Sequence, residues 1–339
     1  MDTFLSNEFE IEVESAQARA ARATLERAPG FSSLMPYRAL NISELIQTPL
    51  KPRERMLAPW LLTQSLAMLY AWRGVGKTHV ALGIGYAVAS GGIFLGWKAT
   101  EPRRVLYLDG EMPGITMQSR LKTLIVNNPV IDFDPDNFKL LTPDLQDGAM
   151  PDLATLQGQD AIYPLTEHAD LIIVDNLSTL ARSGCRENDA EYWNEIGEWA
   201  QMMRREGRSV LFIHHSGKGG AQRGTSKKED ILDTVINLKR PADYVPDEGA
   251  KFEVHFEKAR ELFGEDVEPF EAKLVTDANG NQTWATTKLT QSTFERVVAL
   301  ANEGLSQSEI GIELNIHKSS VSRHLHKAHE LGLAKGASK

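Results

Sequence analysis

The segment Ala71–Thr78, which reads AWRGVGKT, constrains the fold of this 339-residue chain more than any other feature. An apolar run, Leu66–Tyr70, precedes it, and a helix-like stretch, Thr78–Ala89, follows it. The glycines let the backbone approach a ligand closely, so that successive N–H groups can point inward to a phosphate. The start of the following helix adds its positive end. The segment therefore predicts a strand, a phosphate-binding loop and a helix in succession.

Seven residues in and after this loop are candidates for nucleotide binding, which makes ATP and Mg²⁺ the predicted cofactors. Lys77 would reach the β- and γ-phosphates, and Thr78 would hold Mg²⁺. We expect Lys77 to face solvent until a nucleotide binds. Ala71 stands where the strict motif begins with glycine, and the alternative is a glycine-containing turn beside a surface lysine. The candidates are Arg73, Gly74, Val75, Gly76, Lys77, Thr78 and His79.

The body of the chain alternates short apolar runs with helix-like stretches, which is the pattern of a parallel sheet covered by helices. The predicted strands are Leu66–Tyr70, Val105–Leu108, Leu171–Val174 and Val210–Ile213, and the predicted helices are Thr78–Ala89, Ile115–Val126 and Glu191–Arg205. Two later runs, Phe252–Phe256 and Phe270–Val275, have no long helix between them and predict an antiparallel extension. The Asn-Gly turn signal in Asp277–Gln282 predicts a hairpin. The predicted fold class is α/β, with a mostly parallel sheet flanked by helices.

Two predicted strands end in acidic residues that could serve hydrolysis. Asp175 follows Leu171–Val174, at the strand end where a carboxylate can meet Mg²⁺ beside the phosphate loop. Glu111 follows Val105–Leu108 and is the candidate for orienting the attacking water, with Asp109 in a supporting role. The alternatives are a structural role for Glu111 and an Asp175 that only caps a turn.

A polar stretch, HHSGKGGAQRG, follows the predicted strand Val210–Ile213. We expect His214, the first residue of this stretch, to contact the γ-phosphate as a sensor, and the alternatives are a metal ligand or a structural histidine. The loop behind it carries Lys218 and Arg223, which could line a channel for single-stranded DNA. The alternative for the loop is a solvated surface.

Residues 287–339 differ in composition from the rest of the chain. They contain seven Lys or Arg and five Glu, whereas the whole chain has a net charge of −9. Ser306 and Glu309 form a capping-box pattern at the start of one helix, and a second predicted helix turns Val321 and Ala328 inward. This is a helix–turn–helix pattern, and the alternative is a protein-interaction or ring-packing module. Candidate DNA contacts on the outward face of the second helix are Lys318, Ser319, Ser320, Arg323 and Lys327.

The chain is thus predicted to have three segments: a helical and extended N-terminal lead-in over 1–59, an α/β core over 60–286 and a helix–turn–helix DNA-binding module over 287–339. A single cysteine, Cys185, excludes an intrachain disulfide. The first residues lack the basic and apolar regions of a signal peptide, and the longest apolar run is too short for a membrane helix. We therefore expect a cytoplasmic protein that does not bind a membrane.

Together these elements resemble the RecA-like ATPases, and within them the RepA/DnaB-type hexameric helicases. The resemblance covers roughly Ser43–Val275 and rests on the phosphate loop and on the stretches EMPGITMQSR and HHSGK. It implies a RecA-like ATPase core over 60–286, a catalytic Glu111 and a ring of subunits, which is a hexamer in this group. It also implies that Lys258 and Arg260 are fingers that reach the ATP site of the neighbouring subunit. From the residues alone, the K-x-R spacing only places both side chains on one face of a strand.

Three functions remain open at this point. The favoured one is an ATP-hydrolysing, ring-forming DNA helicase or translocase of RepA-like type in plasmid or mobile-element replication, with single-stranded and duplex DNA as partners. The second is a DNA-binding regulator that uses ATP as an assembly switch without unwinding. The third, a small-molecule kinase, is disfavoured by the finger-like pair and the C-terminal module. In the favoured function the catalytic residues are Glu111, Lys77, Asp175, His214, Lys258 and Arg260.

Overall fold

The computed structural model describes residues 38–130, 133–182, 190–216, 229–241, 244, 249–277, 282–314 and 316–330. Its strands are β1 (Arg55–Ala58), β2 (Leu61–Leu62), β3 (Leu66–Ala71), β4 (Ile93–Phe94), β5 (Trp97–Ala99), β6 (Val105–Asp109), β7 (Phe138–Leu141), β8 (Leu171–Asp175), β9 (Ser209–His215), β10 (Thr234–Lys239), β11 (Lys251–Ala259), β12 (Phe270–Thr276) and β13 (Gln282–Lys288).

Its α-helices are α1 (Ile42–Gln47), α2 (Lys77–Ser90), α3 (Gly114–Asn127), α4 (Leu156–Thr166), α5 (Leu177–Leu180), α6 (Ala190–Arg205), α7 (Leu289–Asn302), α8 (Gln307–Glu313) and α9 (Lys318–Glu330). Within the described ranges, no helix combines the length and the apolar character needed to span a bilayer.

The centre of the fold is a nine-stranded sheet in the order β13-β12-β11-β10-β3-β9-β8-β6-β7. The six strands from β10 to β7 are parallel, and β11, β12 and β13 extend one edge in antiparallel fashion. A smaller antiparallel sheet has the order β2-β1-β5-β4. The parallel sheet and its antiparallel extension, in which β12 pairs with β13, confirm the predicted α/β class. The Asn-Gly turn predicted between these two strands lies outside the described residues.

Both faces of the central sheet are apolar, as expected for parallel strands that are covered by helices on two sides. On one face, Ala67 and Leu69 of β3 share a buried cluster with residues of α2. On the other face, Leu66 and Met68 share a second cluster with residues of α6. Because side chains alternate along a strand, the place of each polar residue on these strands decides which face it serves.

Like β7, β10 is a strand of the central sheet without a predicted counterpart in the sequence pattern. It lies between β3 and β11. Its apolar residues Val235 and Ile236 are flanked by the polar residues Asp233, Thr234 and Asn237. From the sequence alone, this short apolar run cannot be distinguished from part of a loop. Its pairing with β3 and β11 shows that it is a strand.

One strand lies beyond a predicted border of the core and another extends across one, and the borders themselves stay a prediction. Met56 and Leu57 of β1 fall in the predicted lead-in over 1–59, yet they are fully buried in the cluster beneath α2. At the other border, β13 continues to Lys288, beyond the predicted end at 286. The part of the lead-in up to residue 37 lies outside the described residues.

The last three helices enclose a small apolar cluster of their own. Val297 of α7, Ile310 of α8 and Val321 of α9 are fully buried in it. Ser306 caps α8 as the sequence pattern predicts, since its side chain accepts from the N–H of Glu309 and its own N–H donates to the Glu309 carboxylate. These caps and contacts define α8 and α9 as a compact helix pair.

Candidate functional site

The predicted phosphate loop joins β3 to α2, at the carboxyl end of the parallel strands. Gly74 and Gly76 adopt positive φ angles of +75° and +119°, a region that residues with side chains rarely enter. Gly76 caps α2, and its carbonyl accepts from Val80 N at 3.1 Å. The helix therefore begins inside the loop, where its first N–H groups have no partner within the helix and favour an anion.

The Lys77 side chain is folded back onto this loop. Its Nζ donates to the carbonyls of Ala71 at 3.0 Å and Trp72 at 3.3 Å, and the residue is only 7% exposed. Burial lowers the pKa of Lys77 to about 8, although the carboxylates of Asp175 and Glu111 oppose the shift. The expectation that Lys77 faces solvent is therefore wrong, because the loop places two backbone carbonyls within hydrogen-bond reach of the ammonium, and these bonds offset part of the cost of its burial.

Asp175 lies at the end of β8, directly across from the loop. It is 5% exposed, and it accepts a 2.6 Å hydrogen bond from the Tyr107 hydroxyl and another from Thr78. Burial raises the pKa of Asp175 to about 6, even though these two hydrogen bonds lower it. A hydroxyl and a carboxylate in contact are the oxygen ligands that Mg²⁺ prefers, so Thr78 and Asp175 fit the task of holding that ion.

The two acids that follow β6 have different surroundings. Asp109 is buried, and its carboxylate accepts from the backbone N–H groups of Glu111 at 3.2 Å and Met112 at 3.1 Å and from the Thr142 hydroxyl at 2.9 Å. Glu111 is exposed, and its carboxylate accepts from Asn176 Nδ2 at 2.9 Å. Asp109 thus shapes the turn after the strand, and this turn presents the Glu111 carboxylate to the loop.

These residues meet in one open pocket of about 830 Å³. All seven predicted nucleotide-binding residues line it, together with Glu111 and Asp175. The other lining residues are Met112, Arg120, Asn176, His215, Arg240, Tyr244, Gly249, Ala250 and Lys251. The fold therefore brings the predicted loop, the predicted magnesium pair and the predicted water-orienting carboxylate together.

His214 does not line this pocket, although the sequence pattern favoured it. It is fully buried on the same face of β9 as Phe212, among the side chains beneath α6. His215 shares the opposite face with Ile213, and it lines the pocket. The physical reason for the correction is strand alternation: adjacent residues point to opposite faces, and only the face that carries α2 meets the loop.

Arg240 is a pocket residue that the sequence pattern did not single out. It follows β10, and its Nη2 donates to the Gly74 carbonyl at 3.1 Å. Its guanidinium lies 4.7 Å from the centre of the Tyr244 ring, in a cation–π arrangement. No motif marks Arg240 in the sequence, and a signal would have required recognition of β10 as the strand beside β3.

Lys258 and Arg260 lie at the other end of the strands from their own phosphate loop. Lys258 pairs with Val235, near the beginning of β10, and β10 runs parallel to β3 toward the loop. Both side chains reach one nearby segment, since Lys258 Nζ donates to the Glu229 carbonyl and Arg260 Nη2 donates to the Asp230 carbonyl at 2.9 Å. The fold therefore keeps the pair together and separates it from the pocket of the same chain.

The predicted DNA contacts fall in two places. Lys218 and Arg223 lie outside the described residues. On α9 the exposed candidates are Lys318, Ser319, Arg323 and Lys327, and Ser320 is half-buried. The ammonium of Lys327 lies 5.7 Å from the centre of the Phe294 ring, so part of its charge faces an aromatic surface within the module.

A family model described as an AAA domain matches residues 33–221, which is more than half of the chain. Solved structures with low identity also match. A KaiC-like protein from Pyrococcus horikoshii is 13% identical, with 69% of this chain and 94% of that chain covered and a TM-score of 0.44. The flagellar accessory protein FlaH from Methanocaldococcus jannaschii is 10% identical, with 66% of this chain and 90% of that chain covered and a TM-score of 0.46. A third solved structure, an isolated ATPase domain, is 15% identical, with coverages of 66% and 85% and a TM-score of 0.46.

The family match contains the phosphate loop, Glu111, Asp175 and His215, whereas Lys258, Arg260 and the last three helices lie beyond it. The matched part therefore coincides with the residues that form the pocket, apart from the wall contributed by β10, β11 and the loop between them. The chain belongs to the AAA domain family and is a P-loop ATPase.

Proposed function

We propose that this ATPase is a ring-forming DNA helicase or translocase of RepA-like type that acts in plasmid or mobile-element replication. The observation that carries the proposal is the separation of two halves of a hydrolysis site. Lys77, Asp175 and Glu111 lie at the carboxyl ends of the parallel strands, whereas Lys258 and Arg260 lie at the opposite end. Such a pair suits the pocket of the next subunit in a closed, head-to-tail ring, a hexamer in the group that the sequence resembles.

Within the proposed site, each side chain has a distinct task. The Lys77 ammonium leaves the loop carbonyls and binds the β- and γ-phosphates. Thr78 and Asp175 hold Mg²⁺, which when bound offsets the negative charge of the phosphates. Glu111 orients the attacking water, and the amide of Asn176 holds its carboxylate in place at 2.9 Å.

Two further residues, which the sequence analysis did not assign to the site, complete the proposed pocket. His215 takes the part of γ-phosphate sensor that the sequence pattern gave to His214, since it is the histidine on the pocket side of β9. Arg240 adds positive charge next to the loop while it holds the Gly74 carbonyl at 3.1 Å. Both stand where phosphate charge would develop during hydrolysis.

Mixed rings test the shared site. Arg260→Ala is expected to bind ATP and to assemble, yet to hydrolyse about 10³-fold more slowly, since a finger in trans contributes about 10³–10⁵ in rate. Lys77→Ala has intact fingers and a defective loop. Mixing the two proteins should restore part of the activity, because an intact loop from one subunit then faces intact fingers from the other.

The matched control is Arg205→Ala, which removes an exposed arginine from the last turn of α6 and should hydrolyse normally. Full activity of Arg260→Ala would refute the shared site. So would an absence of rescue in mixed oligomers whose formation is shown by native mass measurement.

The exposed basic face of α9 favours a second candidate, an ATP-switched DNA-binding regulator without unwinding activity. We propose that α8 and α9 form a helix–turn–helix that contacts DNA in either case. A strand-displacement assay separates the candidates, because only a helicase releases the strand in an ATP-dependent manner. Stimulation of hydrolysis by single-stranded DNA, measured with the oligomeric mass, separates both from a small-molecule kinase.

A further inference from the structure

The strand that carries the proposed fingers contains one extra residue. Phe256 pairs with Ile236 of β10, and Lys258 pairs with the neighbouring Val235, so Glu257 is left without a pairing position on β10. Such a β-bulge shifts the alternation of the side chains by one residue. Phe256 accordingly packs in the cluster on the α2 face, whereas Lys258 pairs with a residue of the cluster on the opposite face.

Two buried polar side chains hold the Glu257 carboxylate at this bulge. The Tyr70 hydroxyl donates to one carboxylate oxygen, and Asn237 Nδ2 donates to the other at 2.7 Å. Asn237 also donates to the Tyr70 hydroxyl at 3.0 Å, and the Lys239 ammonium lies 3.8 Å from the carboxylate at the exposed rim. Tyr70 is 1% and Asn237 is 3% exposed, so loss of the carboxylate would leave buried polar groups without this partner.

The same cluster reaches the phosphate loop through the backbone. Tyr70 immediately precedes Ala71, whose carbonyl accepts from Lys77 Nζ at 3.0 Å. Burial and the neighbouring Glu257 carboxylate raise the pKa of Tyr70, which keeps its hydroxyl protonated and able to donate at neutral pH. Within one chain, the cluster therefore connects the loop strand to the finger strand.

We propose that Glu257 is a positioning residue of the shared ATP site. It stabilises the bulge that sets the face on which Lys258 and Arg260 project, and it ties their strand to β3 and β10 through Tyr70 and Asn237. The inference rests on the proposed shared site and deepens it. In a ring, the residues that receive ATP in one subunit are thereby mechanically joined to the fingers that serve the next subunit.

The test uses the full-length chain with Glu257→Ala. Its affinity for ATP should stay within about twofold while its hydrolysis rate falls roughly tenfold or more, as expected when a catalytic group is displaced by about 1 Å. Mixing with Lys77→Ala should restore activity, because those subunits contribute an intact bulge and intact fingers. Glu257→Gln keeps the shape and one accepting oxygen but turns an amide NH2 toward a donor, so its rate should fall less than that of Glu257→Ala.

The matched control is Glu253→Ala on the same strand and face, whose carboxylate contacts His255 at 2.8 Å and which should hydrolyse normally. A folded Glu257→Ala protein with full activity, next to an inactive Arg260→Ala protein, would overturn the inference and leave the shared site standing. So would an inactive Glu257→Ala protein that mixing does not rescue, if Arg260→Ala is rescued under the same conditions. Full activity of Arg260→Ala would overturn both.

A second variant covers the case in which Glu257→Ala does not fold, as judged by circular dichroism. Tyr70→Phe removes only the hydroxyl that donates to Glu257. It should lower the hydrolysis rate, leave ATP affinity unchanged and be rescued by Lys77→Ala. An unchanged rate in folded Tyr70→Phe would then overturn the inference.

Discussion

The ATPase core and the module of the last three helices differ in how they are held together. The core buries both faces of a nine-stranded sheet, and large side chains such as Tyr107 and Phe212 are completely enclosed. The module is centred on Val297, Ile310 and Val321. A cluster of that size contributes only a few kcal/mol. We therefore expect the core to stay folded after single substitutions of a size that would unfold the module.

The charged residues of the two regions differ in the same way. In the core, Lys77 and Asp175 are almost completely buried, and their pKa values are shifted toward neutrality because burial disfavours their charged forms. On α9, Arg323 and Lys327 are exposed. Buried charged groups with shifted pKa values suit catalysis, whereas exposed positive charges suit binding to a polyanion. ATP hydrolysis and duplex binding should therefore be separable by mutation.

The largest effect should come from Lys77→Ala. Hydrolysis should fall by roughly 10³-fold, because the phosphates lose their nearest cation. The folded core should not lose stability, since the change removes a buried ammonium rather than an apolar contact. Duplex binding by the module should be unchanged, as measured by fluorescence anisotropy beside a steady-state ATPase assay. Lys122→Ala on the exposed side of α3 is the control, and normal turnover of Lys77→Ala would contradict the assigned role.

Glu111→Gln should have the next largest effect. It should bind ATP normally but hydrolyse it about 10²-fold more slowly, because an amide of the same size does not activate water. Asn176 can still contact the remaining carbonyl oxygen of the new side chain. Calorimetry with ATP measures binding, and a phosphate-release assay measures turnover. Loss of ATP binding would instead assign Glu111 a structural role.

Removal of residues 289–339 should produce the converse result. Basal ATP hydrolysis should stay within about twofold, whereas duplex affinity should fall by about tenfold or more, because the phosphate contacts proposed for α9 would be lost together. A Lys318→Ala and Arg323→Ala double variant should reduce both the affinity and its dependence on salt. Equal duplex affinity with and without the module would show that α8 and α9 serve another purpose.

The strands that could be predicted from the sequence are those whose burial is indicated by their own consecutive residues. Leu171–Val174 is a continuous apolar run with an acid at its end, and burial on both faces requires that pattern. The phosphate loop was equally predictable, since its glycines carry the positive φ angles that the turn needs. Local sequence thus specified the strands, the loop and the acids of the candidate pocket.

The remaining features depend on pairing between distant strands, which one sequence does not reveal. Whether His214 or His215 faces the loop follows from the register of β9 against β3. Arg240 meets Gly74 only because β10 lies beside β3. The bulge at Glu257 arises from the register of β11 against β10, and nothing in the K-x-R spacing indicates it.

A smaller effect should appear in the pH dependence of stability. The pKa of Asp175 is raised by burial to about 6 in the folded chain, against an ordinary value of 3.8. Above pH 6 the buried charge destabilises the nucleotide-free fold, and this cost is relieved as pH falls from about 6 to about 4, where only the folded state binds the proton. Asp175→Asn lacks this titration. The unfolding free energy of wild type relative to Asp175→Asn should therefore rise on acidification by about 2 kcal/mol, measured by urea denaturation at several pH values. A constant difference would contradict the shift.

The smallest effect is expected from the loss of a helix N-cap side chain. Two such caps have the same chemistry but lie in different surroundings, so they can be compared. Ser306 caps α8, which contributes Ile310 to the buried cluster of the module, whereas Asn41 caps α1, which has no buried residue. Loss of an N-cap side chain costs about 1 kcal/mol. In Ser306→Ala this loss should be a sizeable part of the module's stability, so hydrogen exchange should speed up throughout 307–330 while exchange in the central sheet stays unchanged. In Asn41→Ala the same loss should alter exchange only within α1, because none of the residues of that helix is buried in the described part of the chain. Faster exchange in β3 and β8 of Ser306→Ala would mean that the module and the core unfold as one unit, and the contrast between the two regions would then not hold.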